Sequence, residues 1–305
     1  VKKLALVGLN NSHPFILSAL VNGGDRAAFV RNSPGWTHSL FPDKDWPGSA
    51  GDGARFTHAW SRDPEFAAKV AEATRVPTVT ASLAEAAEST EGAFVCDMWG
   101  EYHREQAMAF LSQGKPVFVD KPLSASAEDA RVMIDTALEK GTVLSHCSST
   151  RFDPSLIALR ARMAERIGRP SIITVCAPCY QDLARYAVHG IEIMSMVTGG
   201  EQVVSVRNLG SGTRRHILVL EFADGASGLI HAWEGHAYSV TVTGPKGQDV
   251  IAITSNSYLP MVKAVLESFE TGVPVVPYEE ALQVIRVIEA GSLSQARDGA
   301  PVHLL

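Results

Sequence analysis

The tightest constraint on the fold is a strict alternation of short apolar runs and amphipathic stretches through the first 123 residues. Residues 3–8 read as a buried strand. A helix follows, capped by Asn11 or Ser12, with Pro14 in its first turn, where a missing N–H costs nothing. Phe15, Ile16, Ala19 and Leu20 form its apolar stripe, and Gly23-Gly24 stop it. Further strands are predicted at 55–60, 78–80, 93–96 and 116–119. The helices between them are predicted at 64–74, 83–88 and 101–113. Strands and helices alternating at this spacing imply an α/β fold with a doubly wound parallel sheet. Residues 24–53 interrupt the rhythm with Pro34, Pro42, Pro47 and many glycines. The aromatics Phe29, Trp36, Phe41 and Trp46 predict that this insertion is ordered and packed.

Ser126, with Asp129 three residues on, opens a further helix. A strand at 142–145 and a helix at 152–167 follow. Beyond Pro170 the strands lengthen: 171–176, 203–208, 216–222, 227–233, 238–242 and 249–254. Ala223-Asp224-Gly225 and Gly244-Pro245-Lys246-Gly247 read as hairpin turns. The expectation is an α+β domain with a mostly antiparallel sheet, closed by helices near 258–271 and 279–297. A chain of 305 residues predicts about two domains, here 1–123 and 124–305.

Charge narrows the partners. The 27 Lys+Arg against 33 Asp+Glu leave a net charge of −6, which argues against nucleic acid or an anionic membrane as partner. No uncharged apolar run reaches the roughly 18 residues of a membrane span. Lys2-Lys3 and the apolar run after it meet Asn10-Asn11-Ser12-His13-Pro14 too early for a signal peptide. A cytoplasmic location is therefore expected, with Cys96, Cys147, Cys176 and Cys179 as thiols. Cys176-x-x-Cys179 lacks the second Cys/His pair of a structural zinc site, so no metal is expected.

Gly8-Leu9-Asn10-Asn11-Ser12-His13 stands where a dinucleotide fold carries G-x-G-x-x-G, between first strand and first helix. Asn10 and His13 replace the second and third glycines. Asn tolerates left-handed backbone angles, and a helix N-terminus receives an anion through its N–H groups and dipole. The second strand ends in Trp60-Ser61-Arg62-Asp63. An acidic tip prefers a free ribose 2′-hydroxyl, whereas Ser61-Arg62 suits a 2′-phosphate. The cofactor expectation is thus NADP or NAD, leaning to NADP, with Arg62 as a solvated surface residue the alternative.

Gly114-Lys115-Pro116-Val117-Phe118-Val119-Asp120-Lys121-Pro122 resembles the G-K-x-V-x-x-E-K-P segment of the glucose–fructose oxidoreductase / inositol dehydrogenase / MocA (Gfo/Idh/MocA) family, with Asp120 for the usual Glu. Arg151-Phe152-Asp153-Pro154 is similar to its R-F-x-P segment. Phe222-Ala223-Asp224-Gly225-Ala226, Thr243-Gly244-Pro245-Lys246-Gly247 and Tyr278-Glu279-Glu280-Ala281-Leu282 resemble its hairpins and closing helix. The resemblance implies a Rossmann-type nicotinamide-binding domain, then an open-faced sheet domain that often mediates oligomerisation, here as a dimer or tetramer. It implies cofactor contacts from Gly8, Asn10, Asn11, Ser12, His13, Ser61, Arg62, Met98, Trp99, His103, Asp120 and Lys121. It also implies a catalytic lysine, Lys121, and a D-x-x-x-H pair. Arg185-Tyr186-Ala187-Val188-His189 matches the latter, with His189 carried over and Arg185 in place of the acid. The phosphate-loop glycines and a T-P pair, here Met98-Trp99, also depart.

The implied chemistry is hydride transfer between nicotinamide and a sugar, polyol or related hydroxyl or keto compound. A neutral His189 takes the hydroxyl proton, and the Lys121 ammonium favours a developing alkoxide. With the acid gone, Glu192 is the candidate to orient His189, being i, i+3 if the segment is helical. Arg185 binds an acidic substrate group or forms a structural ion pair. Tyr180 and Tyr186 donate hydrogen bonds to a polyol or pack. Trp99 stacks near the cofactor or covers the sheet edge, and Trp233 and His236 carry no assigned role. The alternatives are a non-catalytic dinucleotide- or sugar-binding regulatory protein, and an epimerase or lyase with transient redox.

Overall fold

Six parallel strands carry the first unit of the chain: β1 (Lys2–Val7), β2 (Ala54–Trp60), β3 (Thr78–Val79), β4 (Gly92–Val95), β5 (Val117–Val119) and β6 (Leu144–His146). The computed structural model describes residues 1–42, 46–47, 53–235, 237–254 and 257–304. His236, and residues 43–45 and 48–52 of the 24–53 insertion, lie outside them. The strand order is β3-β2-β1-β4-β5-β6, the doubly wound Rossmann arrangement whose switch point falls between β1 and β4. The helices are α1 (His13–Asn22), α2 (Arg26–Asn32), α3 (Pro64–Thr74), α4 (Leu83–Ser89), α5 (His103–Leu111), α6 (Ala127–Glu139) and, from much later in the chain, α9 (Tyr258–Thr271).

Local chemistry sets their ends. Asp63 accepts from the backbone N–H of Glu65 and Phe66, with Pro64 behind it, and so starts α3. Asp25 and Ser82 cap α2 and α4 likewise. Gly23, at φ 71°, ends α1. Phe56 of β2, Phe94 of β4 and Phe118 of β5 are fully buried and meet in turn, edge-on and then tilted, with ring centroids 5.0 Å apart at each step. In the insertion, Phe29 meets Phe15, Phe41 and Trp46 edge-on, as a packed segment requires. Trp36 is the exception, lying half exposed.

The first unit comprises Val1–Ser124, Glu128–His146 and Tyr258–Val276. A boundary at 123/124 differs from this for a physical reason. β6 needs β5 as its parallel neighbour, and α9 sets Phe269 against Phe94 and Ser268 against Ser145.

The second unit comprises Ala125–Ala127, Cys147–Ser257 and Pro277–Leu305. Its strands are β7 (Ile172–Pro178), β8 (Val203–Asn208), β9 (His216–Phe222), β10 (Ser227–Trp233), β11 (Tyr238–Gly244), β12 (Gly247–Ile253) and β13 (Val302–His303). They form one sheet in the order β12-β11-β7-β10-β9-β8-β13. Every neighbouring pair is antiparallel except β7 and β10. Helices α7 (Pro154–Arg166), α8 (Val188–Thr198) and α10 (Tyr278–Ala296) pack on this sheet. α8 lies close upon it: a Cβ on Gly190 would sit 2.8 Å from Ile230 Cγ2. Side chains alternate between faces. Ile173, Val175, Leu218, Leu220, Ile230 and Val240 are buried, while Ile172, Ile217, Trp233 and Val250, out of phase with them, are exposed. Among the described residues no helix is long and apolar enough to cross a membrane.

Candidate functional site

At the carboxyl ends of β1, β2, β4 and β5 the first unit gathers most of the residues expected to meet a dinucleotide. Gly8 has φ +73°, and a Cβ there would come within 2.5 Å of Gln106 Oε1 and 2.8 Å of Asp97. Glycine is required both for the turn and for the close approach. Asn10 adopts no left-handed conformation; among the described non-glycine residues only Arg75 and Asp298 have positive φ. The turn survives by side-chain bonding instead. Asn10 donates from Nδ2 to Asp97 Oδ1 at 2.7 Å and accepts from Met98 N at 2.8 Å. Asn11, rather than Ser12, receives the His13 N–H, at 2.8 Å. Ser12 occupies the N-cap of α1 without a side-chain cap bond, and no acidic residue sits in the first turn.

Asp97, after Cys96 at the carboxyl end of β4, is a residue the sequence reading missed. It is 4% exposed and also accepts from Trp99 N and from Gln106 Nε2, at 3.0 and 2.8 Å. The guanidinium of Arg62 lies 3.6 Å from it, bonds Glu105 at 2.6 Å and stacks 3.7 Å from the Tyr102 ring centroid. Ser61 donates to Leu9 O at 2.8 Å, tying the β2 tip to the turn. His103 is fully buried, its two ring nitrogens 2.8 Å from the carbonyls of Pro122 and Asp97. A neutral ring donates to one of these carbonyls at a time, and the side chain lies between the backbone of two loops. Burial pushes its pKa down against the pull of those carbonyls.

The His13 imidazole donates from Nδ1 to Asp120 Oδ2 at 2.5 Å, and its Nε2 lies 3.3 Å from the Tyr258 hydroxyl. Burial opposes ionisation of Asp120. The charge of His13, its hydrogen bond and the neighbouring Lys121 nevertheless hold that carboxyl well below the usual range. Lys121 follows Asp120 just past the end of β5, and its bond to Pro122 is cis. This end of the sheet fits a dinucleotide. At the start of α1 the His13 N–H is taken by Asn11 and Pro14 has none, so the fit rests on the helix dipole, on a glycine at Gly8 that admits no side chain, and on the compensation of the buried carboxylates Asp97 and Asp120.

In the second unit, Asp182 starts a π-helical turn over Leu183–Ala187 by accepting from Arg185 N, and α8 continues from it. His189, in the first turn of α8, has its Nδ1 2.7 Å from Ser148 Oγ. Ser148 is buried and also sits 2.8 Å from Thr150 Oγ1. The Tyr238 ring meets His189 edge-on, 6.1 Å between centroids. Tyr180 and Tyr186 pack edge-on at 5.2 Å, and Tyr180 donates to Gly235 O at 2.8 Å. Burial pushes all three phenols up.

Glu192 is not the partner expected for His189. It is completely buried and pairs with Arg151 Nε; Arg151 Nη1 holds Glu280 at 2.8 Å, and Ser195 donates to the same carboxylate at 2.6 Å. An i, i+3 spacing brought Glu192 near the right face, but the guanidinium of the R-F-x-P segment claims it. Burial works against the charge on Arg151, yet the two carboxylates hold it more firmly protonated than usual. Arg185 takes the structural option: its Nε lies 3.0 Å from Asp182 and its Nη1 donates to Gln181 at 2.6 Å. Cys176 and Cys179 form no disulfide, and burial raises the Cys179 thiol to about 11. Ser148 and Tyr238 are the residues sequence reasoning missed here. The only signal for Ser148 was a hydroxyl three residues ahead of Arg151.

Comparison with known proteins fits the first unit. Residues 3–147 match the family model described as "Oxidoreductase family, NAD-binding Rossmann fold". The segment is an NAD-binding Rossmann domain. Over these residues the chain resembles the Gfo/Idh/MocA oxidoreductases. Over 80 residues, 26% of this chain and 24% of the other, it is 36% identical to the inositol 2-dehydrogenase of Paracoccus denitrificans (strain Pd 1222). Over 71 residues, 23% of this chain and 21% of the other, it is 45% identical to the 1,5-anhydro-D-fructose reductase of Ensifer adhaerens. The chain thus spans about a quarter of the length of the curated relatives it matches. The fold likeness extends further. Myo-inositol dehydrogenase from Lactobacillus casei, in complex with NAD(H) and myo-inositol, superposes with a TM-score of 0.80 at 15% identity, over 100% of this chain and 97% of that one.

Proposed function

We propose that the protein is an NAD(P)-dependent oxidoreductase moving hydride between nicotinamide and a carbinol or carbonyl carbon of a sugar, polyol or related compound. The observation that carries this reading is Lys121 at the carboxyl end of β5, beside the Asp120–His13 pair, in a domain of the NAD-binding family. Gly8 and the N-terminal end of α1, through its dipole, are the diphosphate cradle, with Asn10, Asn11 and Ser12 shaping the turn. When bound, the nicotinamide ring supplies the two-electron acceptor for the hydride. His189 takes the hydroxyl proton from substrate, and Lys121 stabilises the negative charge developing on oxygen. Tyr180, Tyr186 and Tyr238 supply hydroxyl donors and aromatic faces suited to a polyol. NADP is the preferred cofactor on this reading. No acidic side chain is available at the β2 tip, because Asp63 is spent on the start of α3.

Support for the substrate class comes from the relatives named for inositol and 1,5-anhydro-D-fructose. The exposed apolar side chains Ile172, Ile217, Trp233 and Val250 support a homo-oligomer, dimer or tetramer, formed through the second sheet. Light scattering on the purified protein reads that directly, and a monomer at micromolar concentration rejects it. Four thiols with no disulfide suit a reducing, cytoplasmic setting.

The deciding experiment measures reduced-nicotinamide formation with NAD and with NADP against cyclic polyols and sugars. Turnover is expected with the wild type, and a loss of about 100-fold or more in Lys121→Ala and in His189→Ala, with folding retained. Full activity in both variants rejects the assignment. Cofactor bound without hydride transfer across the panel points instead to a sensor.

A further inference from the structure

We propose that Ser148 is the positioning residue of His189, holding the neutral imidazole in its Nδ1–H tautomer so that Nε2 keeps the lone pair facing the substrate proton. The inference rests on the reading of His189 as the acid–base group and identifies what replaces the missing carboxylate.

The geometry leaves little choice of partner. Arg185, in the sequence position of the expected acid, is a cation engaged by Asp182 and Gln181 and cannot accept a proton bond from Nδ1–H. Glu192 is held by Arg151 in a buried pair. Ser148 Oγ, by contrast, is 1% exposed and 2.7 Å from Nδ1. Its hydrogen-bond inventory admits the proposed polarity. A serine hydroxyl has one proton and two lone pairs. One lone pair accepts the Thr150 N–H at 3.3 Å. The other accepts Nδ1–H of His189, and the proton goes to Thr150 Oγ1 at 2.8 Å. With the opposite polarity, Ser148 would donate to Nδ1, the ring proton would sit on Nε2, and the imidazole could not act as a base there. The hydrogen bond on one ring nitrogen thus sets what the other can do.

A carboxylate in this role would also stabilise an imidazolium by charge. A neutral hydroxyl fixes the tautomer without that electrostatic pull, so this chain retains the orienting function and drops the charge.

Nitrogen-15 NMR of the histidine rings in the full-length protein tests this without any substrate, well above the usual histidine pKa of about 6.5. The His189 resonances are assigned by their disappearance in His189→Gln. The wild type is expected to show a protonated Nδ1 and a bare Nε2. Ser148→Ala should shift the tautomer ratio toward Nε2–H by about five- to ten-fold, the worth of one such bond, and Ser148→Thr should restore it. Should the alanine variant fold poorly, Ser148→Cys, near in shape and weak in hydrogen bonding, is read in its place and must show the same shift. A wild type with its proton on Nε2, or a ratio unchanged in the alanine or cysteine variant, overturns the proposal. The two readings fail separately. Turnover surviving His189→Ala removes the catalytic role, whereas an unmoved tautomer removes Ser148 and leaves that role standing.

Discussion

The β1–α1 turn and the start of α8 both depart from the patterns they resemble, and the structure absorbs the two departures differently. At the turn, Asn10 replaces a glycine and its side chain bonds Asp97 and the Met98 N–H on the adjoining strand end. The element proposed to receive a phosphate is the N-terminal end of α1, which a side-chain exchange leaves in place. At α8, Arg185 replaces an acid whose role would be a side-chain bond. The residue that bonds His189 Nδ1 is Ser148, 41 residues earlier. Recognition by main chain tolerates substitution locally, whereas recognition between side chains is rebuilt from elsewhere in the chain.

The largest expected effect tests whether Glu192 belongs to the ion-pair network or to the imidazole. Glu192→Ala leaves the Arg151 guanidinium buried with one carboxylate fewer, a change that costs about 3–5 kcal/mol. Urea unfolding should record the loss while the His189 tautomer stays as in the wild type. A stable variant with a disturbed imidazole would return Glu192 to the role its spacing predicted and erase the contrast between the two regions. Gly8→Ala comes next. Its φ of +73° and the 2.5 Å approach to Gln106 make a methyl group there doubly unfavourable. Strain alone costs about 1–3 kcal/mol, and calorimetric titration should show dinucleotide affinity lost with it. Unchanged affinity would mean that the turn is not the cradle.

The same division explains what was legible in the sequence. Features with short-range causes were readable: Pro64 behind Asp63, Gly23 after α1, the Ala223-Asp224-Gly225 turn between β9 and β10, and the strands 203–208, 216–222 and 227–233, which the structure reproduces residue for residue. Features with long-range causes were not. β6 and α9 join the first unit because of β5 and Phe94. His103 is fixed by Pro122 and Asp97, and Glu192 by Arg151. Motif residues could be named as candidates, but their partners were fixed only by packing.

The Asp120–His13 pair gives a pH-dependent test of intermediate size. Because the Asp120 pKa is depressed in the folded state, its contribution is fully present above the ordinary aspartate pKa of about 3.9 and is lost as pH falls below it. Asp120→Asn should cost about 1.5–3 kcal/mol near neutrality, and the difference from the wild type should hold down to about pH 4 and shrink below it. A constant difference from pH 7 down to pH 3 would show that the carboxylate charge is not what joins β5 to α1.

The smallest effect concerns Arg62, where the two regions differ most in exposure: its side chain is 39% exposed, against 11% for Arg151. Its bond to Glu105 and its contact with the Tyr102 ring keep the guanidinium flat at the β2 tip, where a ribose 2′-phosphate would meet it. Exposed, screened ion pairs are worth at most about 1 kcal/mol, so Arg62→Ala should weaken NADP relative to NAD by only about five-fold. That ratio should also narrow in the wild type as salt rises, since screening acts on this contact and not on the buried turn. Equal loss of both cofactors in Arg62→Ala would assign the arginine to holding Asp97 and Glu105 in place, and would remove the reason for preferring NADP.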